Sequence, residues 1–123
     1  QAISHGPLLR TLGDAVLAFQ NDLKHHGHSR RVLTMMFSEF GRRVNENGSQ
    51  GTDHGTAAPM FVVGESVRRG TIGAHPSLDN LEDGDLRFHT DFRSVYAAVL
   101  TNWLGVPAEQ VVAGSFPPAE IFA

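Results

Sequence analysis

The chain has 123 residues, a length that suits one domain or part of one, and 41% of its residues are hydrophobic, as is ordinary for a globular protein. Its net charge of -3 gives no reason to expect a nucleic-acid partner, and the absence of cysteine excludes disulfides, thiolate metal sites and a cysteine nucleophile. No apolar stretch of the sequence approaches the length of a transmembrane helix, so no membrane span is predicted.

The first predicted element is an amphipathic helix over residues 6–26. Apolar residues recur every three or four positions and form one face: Leu8, Leu12, Val16, Phe19 and Leu23. Pro7 suits a first helical position, and Gly27 suits a left-handed C-terminal cap. The histidines at this end are interpreted as a solvated helix end, with adventitious metal binding as the alternative: His25, His26 and His28.

Two short apolar runs, Val32 to Phe37 and Pro59 to Gly64, are typical of strands covered on both faces. A helix before such a strand favours an α/β unit with a parallel sheet. In open sheets of that kind, the functional site lies beyond the carboxyl ends of the strands, which is where Glu39 stands. Residues 41–56 show neither helical nor strand periodicity, so a long irregular loop with a functional role is predicted there.

The remaining sequence predicts an acidic loop, a helix and an extended tail. Residues 77–86 form the acidic loop. The helix begins near Thr90, with Thr90 or Asp91 as its cap, and ends at Gly105. The tail over residues 106–123 carries little charge and is expected to pack as an extended segment.

The candidate site combines Glu39, Asp53 and His54 with nearby polar side chains. Carboxylates and imidazoles are ligands for divalent metals, and arginines bind phosphate or sulfate oxygens in forked pairs. The neighbouring candidates for substrate binding are Arg42, Arg43, Asn45 and Asn47. These residue types fit a metal-assisted hydrolase of charged esters. The structural alternative is that Asp53 caps a turn, His54 hydrogen-bonds to the loop, and Glu39 pairs with an arginine across a turn.

Four short motifs carry a family resemblance: SEFGR at residues 38–42, NENG at 45–48, GTDHG at 51–55 and DFRSVY at 91–96. In this order they resemble the domain of unknown function 1501 family, over roughly residues 30–106. The resemblance implies a bacterial protein, often exported by a twin-arginine signal and hence periplasmic, related to the alkaline phosphatase and sulfatase superfamily. It also implies an α/β fold, in which residues 1–123 form a single partial domain: the C-terminal portion of a mixed sheet flanked by helices.

For the site, the resemblance implies a divalent metal (Zn, Ca, Mg or Mn) and a phosphate or sulfate ester substrate, either a small molecule or a polysaccharide. The N-terminal half of the domain would supply the nucleophile. In one placement Glu39 matches a metal-binding aspartate, Phe40 stands where a histidine ligand is expected, and His54 is a later histidine ligand. In the other placement, Asp53 and His54 are themselves the Asp-His pair.

The first placement is preferred because it reproduces the order of strand, acid, loop, histidine, strand and helix. His54 is a ligand in both placements and is the first candidate for a metal ligand. Asp53 and Glu39 are the next candidates. Arg42 or Arg43 would neutralise the anion, and Asn45 or Asn47 would orient the loop or the substrate. Since Phe40 cannot ligate a metal, the alternative is a non-catalytic exported binding or envelope protein that keeps the fold. A third reading is a small free-standing interaction domain. Exposed strand edges also make a homo-oligomer an expected state.

Overall fold

The structure is a computed structural model that describes residues 2–123. Its first element is helix α1, Ala2–His25, which begins four residues before the predicted start and therefore places Pro7 inside the helix. The prediction that Pro7 is the first helical residue is wrong. The predicted C-terminal end is confirmed, because Gly27 adopts the left-handed conformation with φ of 70°. A 3-10 turn, Ser29–Arg31, then leads into the first strand.

Both predicted apolar strands are present, but they are antiparallel. Strand β1, Thr34–Met36, pairs with β4, Phe61–Val63, and Met35 faces Val62 in the register. The prediction of a parallel sheet is therefore wrong for these strands. Parallel neighbours need a crossover connection, usually a helix. Here the connection is a β-hairpin, which brings the chain back in the opposite direction.

The hairpin between them consists of β2, Gly41–Glu46, and β3, Thr52–Gly55. The prediction of an irregular loop over residues 41–56 is therefore wrong. Apolar and polar residues alternate along a strand when one of its faces is buried and the other is solvated. Most residues of these two strands are exposed or half-buried on both faces, so their sequence carries no such alternation.

A second, smaller hairpin lies in the segment predicted as an acidic loop. It is formed by β5, Leu81–Glu82, and β6, Asp85–Leu86. Asp83 and Gly84 connect the strands with φ angles of 50° and 77°, the left-handed values that a tight Asp-Gly hairpin turn requires. The three pairs β1–β4, β2–β3 and β5–β6 are separate two-stranded sheets.

The last predicted helix is confirmed as α2, Phe92–Ala98, which continues as a π-helical turn, Val99–Trp103. Asp91 caps its start by accepting a hydrogen bond from the backbone N–H of Arg93 at 2.9 Å. Gly105 ends it with φ of 67°.

The tail contains a 3-10 turn, Ala108–Gln110, and then runs beside earlier segments. Phe122 forms a bridge with Val67, and the backbone N–H of Ala119 donates to the Ser94 carbonyl at 2.9 Å. The expectation of an extended, packed tail is confirmed for this terminal stretch.

The described residues bury little hydrophobic surface. Five hydrophobic side chains in residues 2–123 are buried: Leu23, Ala97, Ala98, Ala108 and Ile121. The accessible surface is 9236 Å². A compact monomer of 13.4 kDa exposes about 6,500 Å². Helix α1 contributes to this excess, because its apolar face is largely uncovered, with Leu8 66% exposed and Phe19 47% exposed. Residues 2–123 alone therefore do not close a core of the size usual for this length.

Candidate functional site

The centre of the candidate site is a stacked pair of rings, Phe40 and His54. Their centroids lie 3.5 Å apart and their planes differ by 13°. Phe40 immediately precedes β2, and His54 lies on β3 opposite Arg42. Stacking occupies a face of the imidazole, whereas its two nitrogens bind in the plane of the ring. Within residues 2–123 neither nitrogen of His54 has a hydrogen-bond partner, and the side chain is exposed.

Arg42 borders the same pair of rings. Its guanidinium carbon lies 5.2 Å from the centroid of Phe40, within the range of a cation–π contact. One terminal nitrogen, Nη1, donates to the carbonyl of Thr52 at 2.7 Å. This bond spans the hairpin and holds the side chain along β3. The remaining N–H groups of the guanidinium leave Arg42 able to bind an anion beside His54.

Asp53 is tied to the hairpin turn. Its Oδ1 atom accepts a hydrogen bond from Asn47 Nδ2 at 2.9 Å. Asn47 Oδ1 in turn accepts from the backbone N–H groups of Ser49 and Gly51, each at 3.1 Å. The amide of Asn47 thus organises the turn and fixes the carboxylate. This contact agrees with the alternative interpretation of Asp53 as a residue that caps a turn.

Asp53 and His54 are consecutive residues of a strand, so their side chains leave opposite faces of the hairpin. A shared ion would require irregular backbone; the hairpin has a register shift between Arg42 and Glu46, on the strand opposite Asp53, whereas His54 itself pairs with Arg42. The two faces of the hairpin therefore offer different side chains. A site on the His54 face draws on Phe40 and Arg42, whereas a site on the other face draws on Asp53 and Asn47.

The other predicted site residues are dispersed. Glu39 is exposed and, in the described part of the chain, forms no ion pair with Arg42 or Arg43. Arg43 donates instead to the backbone carbonyl of Asp83, in the turn of the smaller hairpin. Asn45 is exposed on β2. The structure thus brings together Phe40, Arg42 and His54, and it engages Arg43 in a contact with another segment.

Sequence reasoning missed Asp85, which fastens β3 to the smaller hairpin. Its Oδ2 atom accepts from the hydroxyl and the backbone N–H of Thr56, at 2.7 Å and 2.8 Å. These hydrogen bonds, led by the one from the hydroxyl, lower the pKa of Asp85. Gly55 allows the close approach, because a Cβ there would lie 2.6 Å from Asp85 Oδ1. The Asp83-Gly84 turn was the available signal, since it places Asp85 at the start of a returning strand.

The predicted divalent metal would need several His, Cys, Asp or Glu side chains close together. Across residues 2–123, no three His, Cys, Asp or Glu side chains form a group that could hold a metal ion. Zinc sites in proteins use three or four protein ligands. The described residues by themselves therefore do not complete such a coordination shell. The prediction of a divalent metal remains a prediction.

The fold is that of a mixed α/β protein with small antiparallel sheets. No described helix combines the length and apolarity needed to cross a membrane. The chain belongs to the family described as "Protein of unknown function (DUF1501)", which it matches over residues 1–112. The family predicted from the four motifs is thereby confirmed, and the match extends upstream through α1. No curated protein and no solved structure gives a significant match to the chain.

Proposed function

We propose that the chain forms one wall of the active site of a metal-dependent hydrolase that acts on phosphate or sulfate esters. The observation that carries this proposal is the orientation of His54. Its ring is held by a face against Phe40 at 3.5 Å, and both nitrogens are left without a described partner in an exposed position. Histidine binds a metal through one ring nitrogen and usually donates a hydrogen bond from the other, and both nitrogens of His54 are open to such partners.

The roles of the other residues follow from their contacts. Arg42, opposite His54 and over Phe40, neutralises the anionic group of the ester. Glu39 is the carboxylate most readily recruited beside His54, because it is exposed and has no ion pair in the described residues. Asp53 accepts from Asn47 through Oδ1 and keeps Oδ2 for a metal, and it serves the other face of the hairpin. A bound divalent ion would stabilise charge on the ester oxygens.

The remaining ligands and the nucleophile are proposed to come from outside the residues described. The uncovered apolar face of α1 and the excess accessible surface support this part of the proposal, because such area is ordinarily covered by more of the same domain. The chain would then be the C-terminal portion of an alkaline phosphatase- and sulfatase-like domain. Under this proposal the protein is exported and acts on a small-molecule or polysaccharide ester.

Metal content tests the proposal directly. The whole protein and its His54→Ala variant are dialysed exhaustively, resupplied with divalent metal, dialysed again and measured by elemental analysis. His28→Ala is the matched control, since His28 is also exposed but follows α1. We expect the His54→Ala variant to lose bound metal and the control to retain it. Equal metal in all three proteins, or no metal in any of them, would reject the proposal.

Phe40→Leu separates a positioning role from ligation. Leucine preserves an apolar side chain but removes the ring against which His54 stacks. Outer-shell changes of this kind typically weaken metal binding by about 10-fold or more without abolishing it. We therefore expect weaker metal binding in Phe40→Leu and complete loss in His54→Ala. Identical affinity in the parent and in Phe40→Leu would show that the stack does not position the ligand.

A non-catalytic binding or envelope protein is the second candidate, and the donor set favours it. Phe40 stands where the resemblance implies a histidine, and the described residues provide no group of three metal-binding side chains. Assays of the whole protein against aryl phosphates and aryl sulfates, with each divalent metal in turn, distinguish the two. Turnover that is lost in Arg42→Gln supports the hydrolase. Metal binding without any turnover favours the binding protein.

A further inference from the structure

A cleft of about 670 Å³ is lined by residues outside the two strands of the β2–β3 hairpin. Strand β4, the segment before α2 and the tail contribute to its walls. Three of its lining residues are phenylalanines with at least half of their surface exposed: Phe61 at 53%, Phe88 at 60% and Phe92 at 54%. Aromatic side chains exposed in a concave site are typical of pockets that bind organic ligands.

The ionisable residues that line the cleft are all arginines or histidines. They are Arg68, His75, Arg87 and His89, and no aspartate or glutamate among the described residues lines the cleft. The chain as a whole has 13 aspartates and glutamates beside 10 lysines and arginines and 7 histidines, so the separation in the cleft does not follow from the composition. A site with apolar walls and arginines is complementary to a negatively charged ligand.

The two guanidinium groups are available to such a ligand. Arg68 lies 3.5 Å from Glu120 and Arg87 lies 3.9 Å from Glu82, and all four side chains are more than half exposed. Ion pairs this long and this exposed contribute little. An anion that binds Arg68 or Arg87 through paired N–H groups therefore has a weak competitor.

The histidines are held at the cleft through one ring nitrogen each. His89 Nδ1 lies 2.9 Å from the hydroxyl of Thr90, and His75 Nδ1 lies 3.0 Å from the carbonyl of Pro76. Gly73 permits the position of His89, because a Cβ at Gly73 would lie 2.9 Å from that same Nδ1 atom. When the Thr90 hydroxyl donates to Nδ1, Nε2 of His89 carries the proton and can donate to an anion.

We propose that this cleft binds a small organic anion: a flat apolar body carrying one sulfate, sulfonate, phosphate or carboxylate group. The phenylalanines contact the body, and Arg68 or Arg87 pairs with the charged group. The inference is independent of the proposed ester hydrolase, because none of Glu39, Phe40, Arg42, Asp53 and His54 lines the cleft. The lining arginines disfavour a cationic ligand.

Calorimetric titration of the whole protein with naphthalene-2-sulfonate tests this proposal. The probe has the required shape and charge and no ester bond, so hydrolysis cannot confuse the result. A chelator is included, so that binding does not depend on a metal. Naphthalene-2-ol is the neutral comparison. We expect the sulfonate to bind at least about 10-fold more tightly than the alcohol, as the loss of one charge-assisted pair implies.

Arg68→Gln and Arg69→Gln form a matched pair of variants, because they are adjacent and exposed but Arg68 alone lines the cleft. Arg87→Gln tests the second guanidinium. We expect weaker sulfonate binding in Arg68→Gln or Arg87→Gln, and parent-like binding in Arg69→Gln.

Three outcomes would overturn the proposal. The first is no binding of the sulfonate at millimolar concentration. The second is equal binding of the sulfonate and the alcohol, which would show that the arginines do not recognise the charged group. The third is equal weakening of sulfonate binding by all three arginine variants, which would indicate a general effect of surface charge.

Discussion

The close approach of β2 to the segment after β3 predicts a large effect of Gly41→Ala. Gly41 pairs with Gly55 in the hairpin, and it is packed against the backbone of Ala57. A Cβ added at Gly41 would lie 1.8 Å from the Ala57 carbonyl oxygen and 2.5 Å from its carbonyl carbon. The two segments would have to separate by about 1.2 Å before the nearest contact reached 3.0 Å, the shortest that a Cβ tolerates.

The cost of this separation lies at the upper end of the range for overpacking, because the opposing atoms are backbone and cannot rotate away. That range is typically 1–3 kcal/mol, so we expect a loss of about 3 kcal/mol. For a chain of this size, about 3–4 °C of melting temperature accompanies each kcal/mol, which gives a fall of about 10 °C. Opening this end of the hairpin also shifts Phe40 relative to His54.

Thermal unfolding followed by circular dichroism measures the first effect, and the ring-current shift of the His54 ring protons in NMR spectra measures the second. Gly48→Ala is the control. Gly48 lies in the turn of the same hairpin, has no atom within 4 Å of an added Cβ and does not have a positive φ angle. Equal melting temperatures for the two variants would refute the reasoning, since they differ chiefly in the contact with Ala57.

Two further predictions concern α2 and α1. The hydrogen bonds from Arg93 lower the pKa of Asp91 from 3.8 to about 2, so this carboxylate stabilises the fold above pH 3.8 and loses that effect as the pH falls toward 2. Asp91→Asn keeps a capping side chain but removes the charge. Its melting temperature should lie below that of the parent at pH 7 and converge with it near pH 2. A difference in melting temperature that stays constant across this range would contradict the assignment. Gly13→Ala in α1 should increase helicity and raise the melting temperature, because no atom lies within 4 Å of the added Cβ and alanine is favoured over glycine by about 1 kcal/mol in a helix interior. A lower melting temperature would show that another segment packs against Gly13.

The sequence by itself determined the elements whose residues repeat with a clear period or carry a specific terminal signal. The apolar stripe of α1 and the face of the helix that begins at Phe92 follow the 3.6-residue period, and the ends at Gly27 and Gly105 follow from left-handed glycine. The short continuous apolar runs located β1 and β4, because strands that are partly covered on both faces carry such runs. The four motifs were enough to identify the family.

Only the tertiary structure decided how these elements face one another. The antiparallel pairing of β1 with β4 depends on a hairpin that has no buried face and so leaves no pattern in the sequence. The stack of Phe40 on His54 joins residues that are 14 positions apart, through the register of that hairpin. The cleft combines side chains from β4, from the segment before α2 and from the tail. Periodicity reports which side of an element is covered, whereas contacts between distant segments are set by the path of the chain between them.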